Sequence, residues 1–204
     1  MRITKKFIYL ISPTKILSED FYKKLEQIFK TKKISFFQLR LKKENEEKII
    51  KIAKKIKKLT KKYNIKFIIN DDPNLAIKIN ADGCHIGQKD FHIKKARKIL
   101  KNKILGISCH NSIKLAKTAI DNKANYLAFG SFYQSKTKKV KYKANIKILH
   151  VAKKITNIPI VAIGGINSKN YKKLLLNKAN LLAISGYIWN NNKLKPKDAI
   201  KELK

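Results

Sequence analysis

Short apolar runs alternate with longer segments in which apolar residues recur every three to four positions, and the alternation repeats eight times along the 204 residues. The runs at 7–11, 36–39, 67–69, 84–86, 104–107, 126–129, 160–163 and 181–184 have the length and composition of buried strands. The segments near 19–31, 45–63, 73–79, 93–100, 112–123, 146–155, 168–178 and 196–203 carry helical periodicity. Such alternation predicts a parallel sheet with right-handed crossovers, and eight units close as a (β/α)8 (TIM) barrel with short units. No linker-like stretch or shift in composition interrupts the pattern, so one domain over 1–204 is expected. Two connections exceed their neighbours, at 12–18 and at 130–145. The second is basic, follows the sixth strand on the rim that carries chemistry in this architecture, and is a candidate lid.

Composition narrows the partners. A hydrophobic content of 44% suits a globular core, and no apolar run approaches the ~20 residues of a membrane span. The N-terminal apolar patch at 7–11 follows basic residues as a signal peptide would. It is too short and lacks a small-residue cleavage site, so a cytoplasmic protein without membrane contact is expected. The formal charge of +36, from 49 Lys+Arg against 13 Asp+Glu, invites a nucleic-acid reading. The lysines, however, are spread over helix exteriors (Lys51, Lys54, Lys55, Lys57, Lys58, Lys61, Lys62) and are not gathered with aromatics on one face. No specific nucleic-acid partner is expected; the field should attract phosphorylated small molecules. Cys84 and Cys109 form no CxxC and have no histidine at ligand spacing, so reduced buried thiols are expected.

Candidate chemistry falls at strand ends. The third strand finishes in Asn70-Asp71-Asp72, and the fourth in Gly87-Gln88-Lys89-Asp90. Carboxylates from two adjacent strand ends supply the oxygen ligands of a Mg2+ ion that also holds a phosphate, although each also suits a turn or helix cap. At the second strand, alternation puts Gln38, Arg40 and Lys42 on one face and Leu39 and Leu41 on the other. Inward-facing basic groups call for an anion such as a diphosphate, or else form a solvated strand end. The fifth strand ends in Ser108-Cys109-His110-Asn111-Ser112. Ser108 can donate to a phosphate, Ser112 can cap the next helix, and His110 is either an acid/base or a plain rim residue. Gly164-Gly165 after the seventh strand and Ser185-Gly186 after the eighth account for three of only seven glycines. They lie where this fold repeatedly binds phosphate.

Taken in order, these motifs resemble the thiamine phosphate synthase family along nearly the whole chain. The resemblance rests on Gln38-x-Arg40-x-Lys42, Asn70-Asp71, Ala81-Asp82-Gly83-Cys84-His85-Ile86-Gly87-Gln88-x-Asp90, Gly106-Ile107-Ser108, Ser135-x-Thr137-Lys138 and Ala162-Ile163-Gly164-Gly165-Ile166. It implies a transferase that joins hydroxymethylpyrimidine diphosphate to a thiazole phosphate and releases pyrophosphate, with Mg2+ as cofactor. By position, Asp71 and Asp90 would ligate Mg2+, and Arg40, Lys42, Asn70, Ser108 and Lys138 would hold the diphosphate. Gln38 would recognise the pyrimidine, and Ser135, Thr137, Gly165, Ile184 and Ser185 would hold the thiazole phosphate. Arg40, Lys42, Ser108 and Lys138 are the expected catalytic set. Asp72 is expected to cap a helix. Ser135 replaces the usual threonine, Leu41 stands where an acidic residue is common, and Gly186 to Asn190 is a less usual sequel to the last strand. Two other readings stand beside it: a thiazole tautomerase of similar fold using a histidine near His110, and a non-catalytic phosphate-binding barrel. A homodimer is compatible with so short a barrel.

Overall fold

The computed structural model describes residues 6–134 and 142–204. Eight parallel strands close into a barrel in chain order, β1 pairing with β8. They are β1 (Ile8–Ile11), β2 (Ile34–Leu39), β3 (Lys66–Asn70), β4 (Gly83–Ile86), β5 (Ile104–His110), β6 (Tyr126–Gly130), β7 (Ile160–Ile163) and β8 (Leu181–Ile184). The helices are α1 (Asp20–Phe29), α2 (Glu46–Lys62), α3 (Pro73–Lys78), α4 (Ile93–Leu100), α5 (Ile113–Asp121), α6 (Lys147–Ile155), α7 (Tyr171–Leu176), α8 (Gly186–Trp189) and α9 (Pro196–Lys201). The expected (β/α)8 barrel is the observed fold.

Strands flanked on both faces have no solvated side, which explains apolar runs in place of alternation. One set of side chains, including Ile8, Leu10, Phe37, Phe67, Ile69, Cys84, Leu105, Leu127, Ile160 and Leu182, packs outward against the helices. The other set, Tyr9, Ile11, Ile68, Tyr126, Ala128, Val161, Leu181 and Ala183, fills the barrel interior. The helices start where polar caps permit. Asn45 accepts from the Lys48 N–H at the head of α2, Asp72 from Leu75 at α3, and Ser112 from Leu115 at α5. Each supplies an acceptor for an otherwise orphaned first-turn donor. Asp72 is thus a helix cap, as expected.

Two local expectations differ. The stretch after β8 turns into the four-residue helix α8, too short to show periodicity. Its Trp189 indole donates to the Ile11 carbonyl at 2.7 Å, and the Ser185 hydroxyl donates to Ser12 O at 3.1 Å, so α8 lies over the end of β1. The seventh helix begins at Tyr171 and not near 168, because Asn170 Oδ1 accepts from the Asn167 N–H and holds 167–170 in a turn. Both cysteines are buried and unpaired. Burial pushes the Cys109 thiol up to about 12 and Cys84 higher still, which keeps both as unreactive thiols. Among the described residues no helix is long and apolar enough to cross a membrane.

Candidate active site

Leu39 and Leu41 join the outer core, so Gln38 and Arg40 turn inward at the C-terminal end of β2. Gln38 is 3% exposed and donates from Nε2 to Asn70 Oδ1 at 2.7 Å, linking β2 to β3. The Arg40 backbone is fixed at both ends by the Ser12 hydroxyl, which accepts from its N–H at 3.0 Å and reaches its carbonyl at 3.4 Å. Its half-buried guanidinium has no hydrogen-bond or ion-pair partner among the described residues. A permanently charged planar fork in that position is able to receive an anion bidentately.

The carboxylates expected from two strand ends do converge. Lys42 Nζ lies 2.6 Å from Asp71 Oδ2 and 3.4 Å from Asp90 Oδ1. Asp71 reaches this position through a left-handed backbone (φ 66°), held by its N–H donating to the His85 carbonyl at 2.7 Å. Asp90 is anchored by the Gly87 N–H, which donates to Oδ2 at 3.0 Å. The two carboxyl groups act on one another, which splits their titration. Burial, aided by the Asp90 charge, raises Asp71 against the pull of Lys42. For Asp90 burial acts upward, but the bonds from Asp71, Lys42 and the Gly87 N–H outweigh it and hold the group low. Among the described residues no cluster of three or more His, Cys, Asp or Glu gathers as a metal site. Two carboxylates converging on one ammonium nonetheless fit a hard divalent cation that completes its shell with water and substrate oxygens.

Deeper in the barrel lies a polar column that the sequence reading did not pick out. His85 projects inward from β4, with Nε2 2.9 Å from Ser108 Oγ and Nδ1 3.0 Å from Tyr126 Oη. Tyr126 Oη in turn lies 2.7 Å from Tyr9 Oη. Burial, reinforced by the Arg40 charge and opposed by Asp90, pushes His85 down to about 4, so its ring is neutral at pH 7. The signal was present: His85 sits between outward-facing Cys84 and Ile86, so strand alternation alone aims it into the barrel. Gln88 Nε2 donates to the Ser108 carbonyl at 2.6 Å and ties the β4 loop to β5.

Across the same C-terminal rim, Gly164 and Gly165 have φ of 105° and 62°. A Cβ at these positions would lie 1.9 Å from Ser131 Oγ and 2.3 Å from the Gln134 carbonyl, so only glycine lets the β7 loop close against the β6 loop. Ser185 lies at the head of α8, next to this loop in the β7–β8 pairing. Ile184 turns its side chain into the outer core at 3% exposure, so any ligand contact from that position is through the main chain. His110, at the end of β5, stacks on Tyr142 with centroids 4.3 Å apart. Ser135, Thr137 and Lys138, and with them the middle of the 130–145 loop, lie outside the described residues.

A closed parallel barrel with paired carboxylates and a glycine-built loop on its C-terminal rim falls in the class of (β/α)8-barrel enzymes. Comparison with known proteins narrows this. A family model described as thiamine monophosphate synthase matches residues 8–188. A thiamine-phosphate synthase of Pelagibacter ubique is 64% identical over 203 residues, covering 100% of this chain and 98% of the relative. One of Clostridium acetobutylicum is 38% identical, covering 93% and 90%. A solved structure of thiamine phosphate pyrophosphorylase from Pyrococcus furiosus superposes with a TM-score of 0.85 at 26% identity, covering 98% of this chain and 94% of that one. The chain belongs to the thiamine monophosphate synthase family, and is an enzyme of the transferase type.

Proposed function

We propose that the chain condenses hydroxymethylpyrimidine diphosphate with a thiazole phosphate, giving thiamine phosphate and pyrophosphate. The observation that carries this reading is the cluster at the ends of β2, β3 and β4: two carboxylates sharing one ammonium, with the Arg40 guanidinium at the end of β2 having no partner among the described residues. A monophosphate-binding barrel has no need of paired carboxylates. A diphosphate leaving group does, because its charge grows as the bond to carbon breaks.

In this scheme Asp71 and Asp90 would hold Mg2+, which supplies charge neutralisation at the leaving diphosphate when bound. Arg40 binds diphosphate oxygens bidentately, and Lys42, Asn70, Ser108 and Lys138 add donors. Gln38, its amide oriented by Asn70, faces the pyrimidine. Gly165, Ser135, Thr137, Ser185 and the main chain of Ile184 hold the thiazole phosphate. The carbon–oxygen bond between the pyrimidine methylene and the diphosphate breaks, both electrons leaving with pyrophosphate. The thiazole nitrogen lone pair then forms the new carbon–nitrogen bond. No side chain need act as nucleophile, so the low-lying His85 and the inert cysteines suffice as neutral neighbours. We place this reaction in the cytoplasm, in keeping with two unpaired thiols.

The test is pyrophosphate release measured with both substrates, with each omitted in turn, and with or without Mg2+. Release that requires all three components supports the proposal. Absence of turnover with metal-independent binding of thiazole phosphate would replace it by a tautomerase or a binding barrel, and His110→Ala would then be the next variant.

A further inference from the structure

Tyr9, Tyr126, His85 and Ser108 form one unbranched chain of hydrogen bonds across the barrel interior, with links of 2.7, 3.0 and 2.9 Å. Four groups each carry one mobile proton, and three links consume three of them. One proton is therefore left over, and its location sets the direction of every bond. It cannot be the histidine's, because a neutral imidazole carries its proton on one of the two linked nitrogens. If it belonged to Tyr9 or Tyr126, a hydroxyl would point into apolar surroundings. These rings are 2% and 1% exposed, are walled by Phe36, Ile68 and Val161, and have no other acceptor among the described residues. A buried donor left unmade costs about 1–3 kcal/mol. The free proton therefore belongs to Ser108, half-buried at the C-terminal end of β5.

We infer that Tyr126, which accepts from Tyr9, is a positioning residue that fixes His85 in its Nε2–H tautomer and thereby presents the Ser108 hydroxyl to the bound ligand as a hydrogen-bond donor. Tyr9 donates to Tyr126, Tyr126 donates to His85 Nδ1, and Nε2–H donates to Ser108 Oγ, leaving the serine proton for an anionic oxygen. A reversed chain would offer Ser108 as an acceptor, which repels a diphosphate. The direction thus sets which ligand polarity the interior end of the site accepts. The inference deepens the diphosphate reading, but its first test does not depend on that reading or on turnover.

The test is 15N NMR of the histidine side chains in the ligand-free protein, with His85 assigned by its loss in His85→Gln. The expected spectrum shows a protonated Nε2 and a bare Nδ1 near neutral pH. Tyr9→Phe should leave this pattern unchanged, because the Tyr126 proton still has only Nδ1 to meet. Tyr126→Phe should bring in the Nδ1–H form as a comparable population. A His85 Nδ1–H tautomer in the parent protein, or a Tyr126→Phe spectrum identical to the parent, overturns the inference. In a second arm inorganic pyrophosphate with Mg2+ is the probe. Ser108→Ala should weaken its binding about tenfold, as expected for a donor to a charged oxygen. Unchanged affinity would show that the serine proton does not reach the anion and overturn the donor role, whatever the tautomer.

Discussion

Gly106→Ala is the substitution whose consequence the geometry fixes most tightly. A Cβ at this position would lie 1.9 Å from Tyr126 Cζ, 2.2 Å from its Oη and 2.3 Å from Cε2. Gly106 and Tyr126 are register partners on adjacent strands of a closed barrel, so the backbones cannot separate without opening the ladder. The ring must move by about 1.5 Å to reach an ordinary contact, which strains its packing against Tyr9 and Phe36. That displacement also breaks the bonds of Tyr126 to Tyr9 and His85. Two buried hydrogen bonds at about 1 kcal/mol each, plus about 1–3 kcal/mol of overpacking, predict a loss of about 3–5 kcal/mol. For a chain of this size the melting temperature should fall by about 6–20 °C. Urea unfolding of Gly106→Ala, of Tyr126→Val and of the double variant measures it. If the clash is the cause, removing the ring relieves it and the two bonds are lost only once, so the double variant is more stable than the sum of the single losses by about 3–5 kcal/mol. A Gly106→Ala protein within about 0.5 kcal/mol of the parent, or strict additivity, would refute the reasoning.

Three further outcomes are expected. His85 is held at about 4 in the folded state against an ordinary value near 6.5, so only the unfolded chain takes up its proton between these values. Its contribution is complete above the unfolded value and is lost as pH falls towards 4, costing about 2 kcal/mol near pH 5. His85→Asn should flatten that part of the stability–pH curve; a curve of unchanged slope would contradict it. Asp72→Ala removes the α3 cap and should cost about 1 kcal/mol in thermal unfolding with little change in turnover, whereas lost turnover in a folded variant would give Asp72 a role in the site. Arg40→Ala should weaken pyrophosphate binding by about tenfold or more, since a charge-assisted contact is removed. A shifted melting temperature with unchanged binding, read by calorimetric titration, would make Arg40 structural.

Periodicity made the barrel legible because every strand here is buried on both faces and every full-length helix on one. The same logic reached Gln38 and Arg40, whose inward aim follows from the outward burial of Leu39 and Leu41. It failed where length or long-range geometry decides. Helix α8 has four residues, too few for a helical period, and is held by side-chain bonds to β1 some 170 residues away in sequence. Tyr9 and Tyr126 read as ordinary apolar strand residues, since nothing local reveals that their hydroxyls meet across 117 positions. The left-handed conformation of Asp71 was likewise invisible, because it depends on the β3–β4 register that puts the His85 carbonyl in reach of its N–H.

The lysine-rich composition gives the paired carboxylates their meaning. With 49 basic residues and 13 acidic ones, acids are scarce, and most that form ion pairs do so on exposed faces, where such pairs contribute little. Asp71 and Asp90 differ: at the strand ends, 24% and 30% exposed, they converge on the single ammonium of Lys42. Bringing two carboxyls together in a partly desolvated site is unfavourable for a fold with this surplus of cations to pair them separately. Lys42 offsets part of that cost, yet it remains 44% exposed on a flexible stem and cannot neutralise both. The arrangement is therefore less stable alone than with a second, stronger cation, which is the physical content of the proposed Mg2+ role. Arg40, with no carboxylate partner among the described residues although Asp71 follows the adjoining strand β3, points to the complementary need for an anion. Under the proposed function the rim would take one divalent cation and one polyanion, and a magnesium diphosphate supplies the two as a unit.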